Sequence, residues 1–133
     1  MLVLLSIRPT HVANILAGTK KFEFRRKVFA RKDVKNVLIY CTKPVGRFVG
    51  EFEIDDILRD RPDRLWRRTR AGSGISKQYF DSYFDGRDEG FALRIGAVRA
   101  FTRHVAPDEV MDDFSPPQSF MYLKRPPQIT LWS

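Results

Sequence analysis

Apolar residues change their spacing abruptly near the start of the chain. Leu2 to Ile7 is a nearly unbroken apolar run that suits a buried strand, and it ends at the Arg8-Pro9 step, where proline can open a helix. From Pro9 to Ala17 the apolar residues Val12, Ile15 and Leu16 fall at helical spacing. Gly18 predicts the stop, because glycine takes the positive φ of a helix end without cost. The spacing then becomes two. Phe22 and Phe24 alternate with Lys21, Glu23 and Arg25, which predicts a strand with two cations and a carboxylate side by side on one face. Lys20 stands in the turn just before that row, where a short bend can aim its ammonium into a groove bordered by the strand. Arg26 is expected to point away.

Further along, Lys27 to Lys35 is a basic stretch that reads as a mobile flap tethered by Val28, Phe29 and Val34. Val37 to Cys41 is strongly β-forming, Thr42 to Gly46 carries turn residues, and Phe48 to Ile54 alternates again, which is a hairpin signal. Asp55 to Thr69 is charged, and Pro62 predicts a short helix through Arg68. A basic and then flexible segment follows. Ser76 predicts the N-cap of an aromatic helix through Phe84, closed by Gly86. Glu89 to Phe101 reads as a long strand with a bulge or bend at Gly96, Pro107 opens a short turn, and Ser119 to Leu123 suits a closing strand. Lys124 to Ser133 is a Pro-rich tail whose Ile129, Leu131 and Trp132 can pack on the chain itself or on a neighbour.

Composition narrows the function classes. The 133 residues suit one domain, 1–133, with a globular balance of 43% hydrophobic and 30% charged residues. One cysteine, Cys41, excludes an internal disulfide, no apolar run reaches membrane-spanning length, and the N-terminus lacks the basic start of a signal peptide, so the expected location is the cytoplasm. A formal net charge of +8 favours a polyanionic partner, with nucleic acid foremost. Arg67, Arg68 and Arg70 are candidates for phosphates, and Tyr79 and Tyr83 for unstacked bases.

Familiar catalytic signatures are missing: no phosphate-binding glycine loop ending in Lys-Ser/Thr, and no Gly-x-Ser-x-Gly elbow. His11, His104 and Cys41 have no metal-ligand spacing, so no metal and no cofactor are expected. Each histidine reads as a surface or core-edge residue. If the chain is an enzyme, Lys20 and Glu23 are the only local acid-base candidates. A lysine beside a carboxylate is expected to hold its proton more firmly, which favours a binding pair over a base.

The order LSIRPTHVANILAGTKKFEFRR, NVLIYCTKPVGRFVGEFEI, a GIS-led aromatic helix and PPQSFMYL resembles the ASCH domain family of the PUA-like superfamily. Its most specific part is the pattern G-x-K-x-x-E-x-R at Gly18, Lys20, Glu23 and Arg25. The resemblance implies an α+β fold, a small, mostly antiparallel β-barrel flanked by short helices, and a nucleic-acid-binding cleft beside the motif, with RNA ahead of DNA. On that reading Lys20, Lys21, Glu23 and Arg25 border the cleft, with Ser6, Arg8, Tyr40 and Thr42 nearby. Some family members deacetylate N4-acetylcytidine with a lysine, a threonine and a glutamate. Lys20 matches the lysine, but Glu23 replaces the threonine, and Ala71 to Gly74 occupies the region of the glutamate. Other members are ribonucleases. Binding module, hydrolase acting on RNA or a modified nucleoside, and ligand-sensing regulator are therefore the classes to separate.

Overall fold

The computed structural model describes residues 1–132, so only the last residue of the expected tail lies outside it. Strand β1 (Leu2–Ile7) leads into helix α1 (Pro9–Ala17), then β2 (Phe22–Arg25), β3 (Asn36–Cys41) and β4 (Arg47–Asp60). Helices α2 (Pro62–Thr69) and α3 (Lys77–Tyr83) precede the long β5 (Gly90–Val105), and β6 (Met121–Leu123) comes before a final helical turn, Pro127–Trp132. The six strands lie in the order β2-β5-β4-β3-β1-β6, antiparallel except for the β1–β3 pair. The expected barrel is thus an open sheet: β2 and β6 are free edges that do not pair with each other.

Both faces of β1 are buried, which is why its apolar run does not alternate. Val3, Leu5 and Ile7 pack with Val37, Ile39 and the α1 residues Val12 and Ile15. Leu2 and Leu4 pack on the opposite side with Leu38, Tyr40, Phe48 and Trp132. A third cluster joins Phe22 and Phe24 of β2 to Leu65 of α2 and to Phe80 and Phe84 of α3. Strand β4 continues past Ile54 into the charged segment, because its residues from Asp56 to Asp60 pair with β5. Register shifts along the β4–β5 ladder bend these long strands. The flap residues Phe29 and Val34 are buried, as the tethering argument requires. Among the described residues no helix is long and apolar enough to cross a membrane.

The tail packs on the chain itself. Trp132 is 3% exposed and stacks on Phe48, while Leu131 remains open. Polar contacts reinforce this: Arg125 donates to both Glu51 oxygens, at 3.1 and 2.7 Å, and Arg99 donates to Glu51 Oε1 at 2.9 Å. Burial alone would raise the Glu51 pKa, but the hydrogen bonds and charges of Arg125 and Arg99 outweigh it and hold the carboxyl below its ordinary range. Glu51→Ala is expected to cost about 1–3 kcal/mol, less than a fully buried network because both guanidiniums remain partly exposed. The wild-type contribution is present above the unfolded pKa and is lost as pH falls through the depressed folded value. Urea unfolding at several pH values, followed by tryptophan fluorescence, checks both statements.

Candidate nucleic-acid interface

Helix α1 ends as its sequence dictates. Gly18 adopts φ 81°, and the Asn14 carbonyl accepts hydrogen bonds from the backbone N–H groups of Thr19 and Lys20. The turn that follows is fixed at two further points: Lys21 N–H donates to the Gly72 carbonyl and Lys21 C=O accepts from Ile95 N–H. This swings Lys20 inward. Its side chain is 2% exposed, its Nζ donates to the Ser73 carbonyl at 2.7 Å, and the same ammonium lies 4.9 Å from the centre of the Phe24 ring.

The loop over Lys20 approaches closely because it carries glycines. A Cβ on Gly74 would meet Lys20 Cβ at 2.6 Å, and Gly74 has φ 68°. Gly74→Ala therefore combines a clash with backbone strain and is expected to destabilise the protein by about 1–3 kcal/mol. Thermal melts of the variant check that cost; a Gly74→Ala protein as stable as the wild type would contradict the close packing over Lys20.

Glu23 is also buried, at 5% exposure, although a charged strand face suggests solvent. Arg25 donates to Glu23 Oε2 at 3.2 Å and, through its other terminal nitrogen, to the Ser119 carbonyl at 2.6 Å. Ser6 Oγ donates to the Pro117 carbonyl at 2.9 Å. These bonds hold the segment from Pro117 to Ser119 against β1 and β2, forming one rim of a cavity. Helix α3 forms another rim. Its Ser76 cap accepts from Tyr79 N–H, and the four-residue spacing of Tyr79 and Tyr83 puts both on the cavity side, with Phe80 and Phe84 turned to the core.

The cavity measures about 210 Å³. Arg8, Lys20, Arg25 and Arg26 supply its cations, Glu23 its carboxylate, and Phe24, Tyr79 and Tyr83 its rings. Ser6, His11 and Gln118 add neutral polar groups. Of the residues selected from sequence, Ser6, Arg8, Lys20, Glu23, Arg25, Tyr79 and Tyr83 are brought together here. Lys21 is exposed and turned toward Gly72. Tyr40 lies in the core against Phe48 and Phe114, and Thr42 begins the turn after β3 with its N–H on the Ile7 carbonyl. Arg67 and Arg68 lie on the exposed side of α2, paired with Asp63 and Asp60, and Arg70 follows them; none of the three lines the cavity.

Sequence reasoning left two cavity residues, Arg26 and His11, out of the site. Arg26 faces the cavity after all, because β2 ends at Arg25 and the backbone bends at Arg26. Its guanidinium lies 4.1 Å from the centre of the Tyr83 ring and its Nε donates to the Tyr83 carbonyl at 2.8 Å. His11 is part of the cavity wall, with Nε2 3.2 Å from the Tyr79 hydroxyl and a buried Nδ1 that has no partner among the described residues. The signal was available: His11 precedes the buried Ile15 by four positions and so shares the inward face of α1.

The electrostatics reverse one expectation. Burial pushes the Lys20 pKa down more than the charge of Glu23 raises it, so the lysine does not hold its proton more firmly. Burial likewise pushes the Glu23 pKa up against the opposing charges of Arg25 and Lys20. The His11 pKa is lowered, first by burial and then by Lys20 and Arg8, so the imidazole is neutral at physiological pH. Glu23 pairs with Arg25, and Lys20 with a backbone carbonyl, so the expected direct Lys20–Glu23 pair does not form among the described residues. Nor do three or more metal-ligating side chains converge among them.

Comparison with known proteins places this arrangement. An ASCH domain-containing ribonuclease of Zymomonas mobilis is 27% identical over 124 residues, covering 91% of this chain and 83% of that protein. The crystal structure of ASCH from Zymomonas mobilis superimposes with a TM-score of 0.86 at 27% identity, covering 93% of this chain and 88% of the other. Large ribosomal subunit protein uL22 of Ureaplasma parvum is 29% identical over 91 residues, 68% of this chain but only 29% of that protein. The family model for the ASCH domain matches residues 5–94, which run from the end of β1 to the start of β5 and contain the whole G-x-K-x-x-E-x-R segment. The chain therefore belongs to the ASCH domain family and has its α+β, PUA-like fold, with the sheet left open.

Proposed function

We propose that the protein binds RNA, with one unstacked nucleotide seated in the cavity beside β2. The observation that carries this reading is the composition of the cavity: four cations and three aromatic rings around a single buried carboxylate. Cations meet phosphate, rings and guanidinium planes stack on a base, and a fixed carboxylate accepts from a base amino group. At about 210 Å³ the cavity lies below the roughly 300–1,000 Å³ of drug-sized sites, which suits one nucleotide rather than a duplex. Arg26 already covers one face of Tyr83, so a base stacks on its guanidinium or on Tyr79.

A second reading, cleavage of the bound strand, is favoured by the opposite pKa displacements of Lys20 and Glu23 and by the name of the Zymomonas mobilis relative. Lowering a lysine's pKa moves it toward the free amine that a general base requires, and raising a carboxyl's pKa moves it toward the protonated form that a general acid requires. In that scheme a ribose 2′-hydroxyl gives its proton to Lys20 and its oxygen bonds to the adjacent phosphorus. The bond from phosphorus to the 5′-oxygen breaks, and that oxygen takes the proton of Glu23. The products are a 2′,3′-cyclic phosphate and a 5′-hydroxyl. Arg25 then faces the carboxylate that remains.

Incubation with labelled single-stranded RNA, and with DNA of the same sequence, tests both readings. Binding of RNA with a salt-dependent affinity supports the first, and cyclic-phosphate ends from RNA alone support the second. No RNA binding at low salt would overturn the proposal.

A further inference from the structure

A second hollow of about 230 Å³ adjoins the cavity and shares Arg25, Arg26, Tyr83 and Gln118 with it. Its remaining wall brings in Lys27, Arg87 and Ser119. The two hollows differ in charge. Glu23 lines the inner one, whereas four cations and no carboxylate line the outer one. Of these cations only Arg25 is paired with a carboxylate; Arg26 is held by the ring and carbonyl of Tyr83. Lys27 and Arg87 are exposed and make no ion pair among the described residues, although Arg87 also borders a third hollow lined by Asp63, Asp81, Asp85 and Asp88.

Uncompensated cations held around a concave surface cost electrostatic free energy through mutual repulsion, and an anion seated among them removes that cost. The outer hollow shares four lining residues with the inner one, so a nucleotide next to one seated in the cavity comes within reach of its cations. We propose that this outer hollow binds the phosphodiester of the nucleotide next to the one in the cavity. The ligand is then a nucleic-acid strand and not a free nucleoside. This inference rests on the RNA-binding reading and adds to it a length requirement and two contacts, Lys27 and Arg87, outside the G-x-K-x-x-E-x-R segment. Both are flexible surface side chains that make no hydrogen bond within the protein among the described residues, so replacing them leaves the fold intact.

The test is a titration of a labelled oligouridine strand over a range of salt concentrations. Three proteins are compared: wild type, the double variant Lys27→Ala/Arg87→Ala, and a control, Arg67→Ala/Arg68→Ala, whose cations line neither hollow. Each lost phosphate contact on a single strand flattens the slope of log affinity against log salt by about 0.7, so the Lys27/Arg87 variant is expected to lose about 1.4. Its affinity should fall most at low salt. The control should keep the wild-type slope. A Lys27/Arg87 variant indistinguishable from the control, with wild-type binding intact, overturns the outer site and leaves the cavity reading standing. Failure of the wild type to bind the strand overturns both.

Discussion

On the cleavage reading, Lys20→Met is expected to slow cleavage of RNA by about 10²–10⁴ while leaving the protein at least as stable as the wild type. The two halves of this outcome have one physical origin. Lys20 is an ammonium carried almost wholly out of water, held by one carbonyl and one ring face, and its burial drives the pKa down. Methionine fills the same space without a charge to desolvate. Loss of the donor leaves the buried Ser73 carbonyl without it, at a cost of about 1–3 kcal/mol, and removal of the desolvated charge offsets this. Cleavage, by contrast, loses its proton acceptor, which corresponds to about 10²–10⁴ in rate. Thermal melts and single-turnover cleavage measured on the same preparation check both halves. A variant that melts far below the wild type would mean that Lys20 is a structural residue, and a variant that cleaves normally would remove it from the reaction. The motive for retaining a buried lysine at a cost in stability would then have to be sought elsewhere.

The elements that were legible in the sequence are those whose signals are local. Helix α1 occupies Pro9–Ala17 and stops at Gly18, because proline, apolar spacing and a positive-φ glycine act within one short segment. The Ser76 cap and the two tyrosines of α3 were legible for the same reason. The family pattern brought Lys20, Glu23 and Arg25 into one place, and the structure gathers them around one cavity.

What could not be read depends on segments distant in the chain. The row Lys21, Glu23, Arg25 looks like a solvent face until the glycine loop from Arg70 to Gly74 and the Pro117–Ser119 segment cover it. Only then does Glu23 become a buried carboxylate, and only then does desolvation outweigh the Coulombic attraction that sequence proximity suggests. Arg26 was misassigned because the strand was extended one residue too far. Tyr40 and Thr42 lie away from the cavity, whereas β1 reaches it through Ser6 and Ile7, with Ser6 beside the loop from Pro117. The inward position of His11 on α1 was legible from its spacing to Ile15, but its place beside Tyr79 depends on α3 packing against α1.

Glu23→Gln should separate binding from cleavage, and its pH dependence carries the sign of a buried acid. The folded protein holds the Glu23 proton more tightly than the unfolded chain does, because burial raises the folded pKa above the ordinary 4.5. Between those two values the native state binds more protons, so this group's contribution to stability falls as pH rises through the folded pKa. Glutamine resembles the protonated acid and has no such slope. The variant should therefore match the wild type at acid pH and exceed it at neutral pH, as read by urea unfolding at both. Binding of RNA should be retained or strengthened, since a negative charge beside the phosphate has gone while the amide oxygen still accepts from Arg25. Cleavage should fall by about 10²–10⁴, because the amide has no proton to deliver to the leaving oxygen. Lys20 loses the only charge that raises its pKa. The upward shift that Glu23 imposes on it disappears, and the rising, acid-side limb of residual activity, which follows deprotonation of Lys20, moves to lower pH. A Glu23→Gln protein that cleaves RNA at the wild-type rate removes Glu23 as the acid; one that is less stable than the wild type at neutral pH shows the carboxylate to be a structural partner of Arg25.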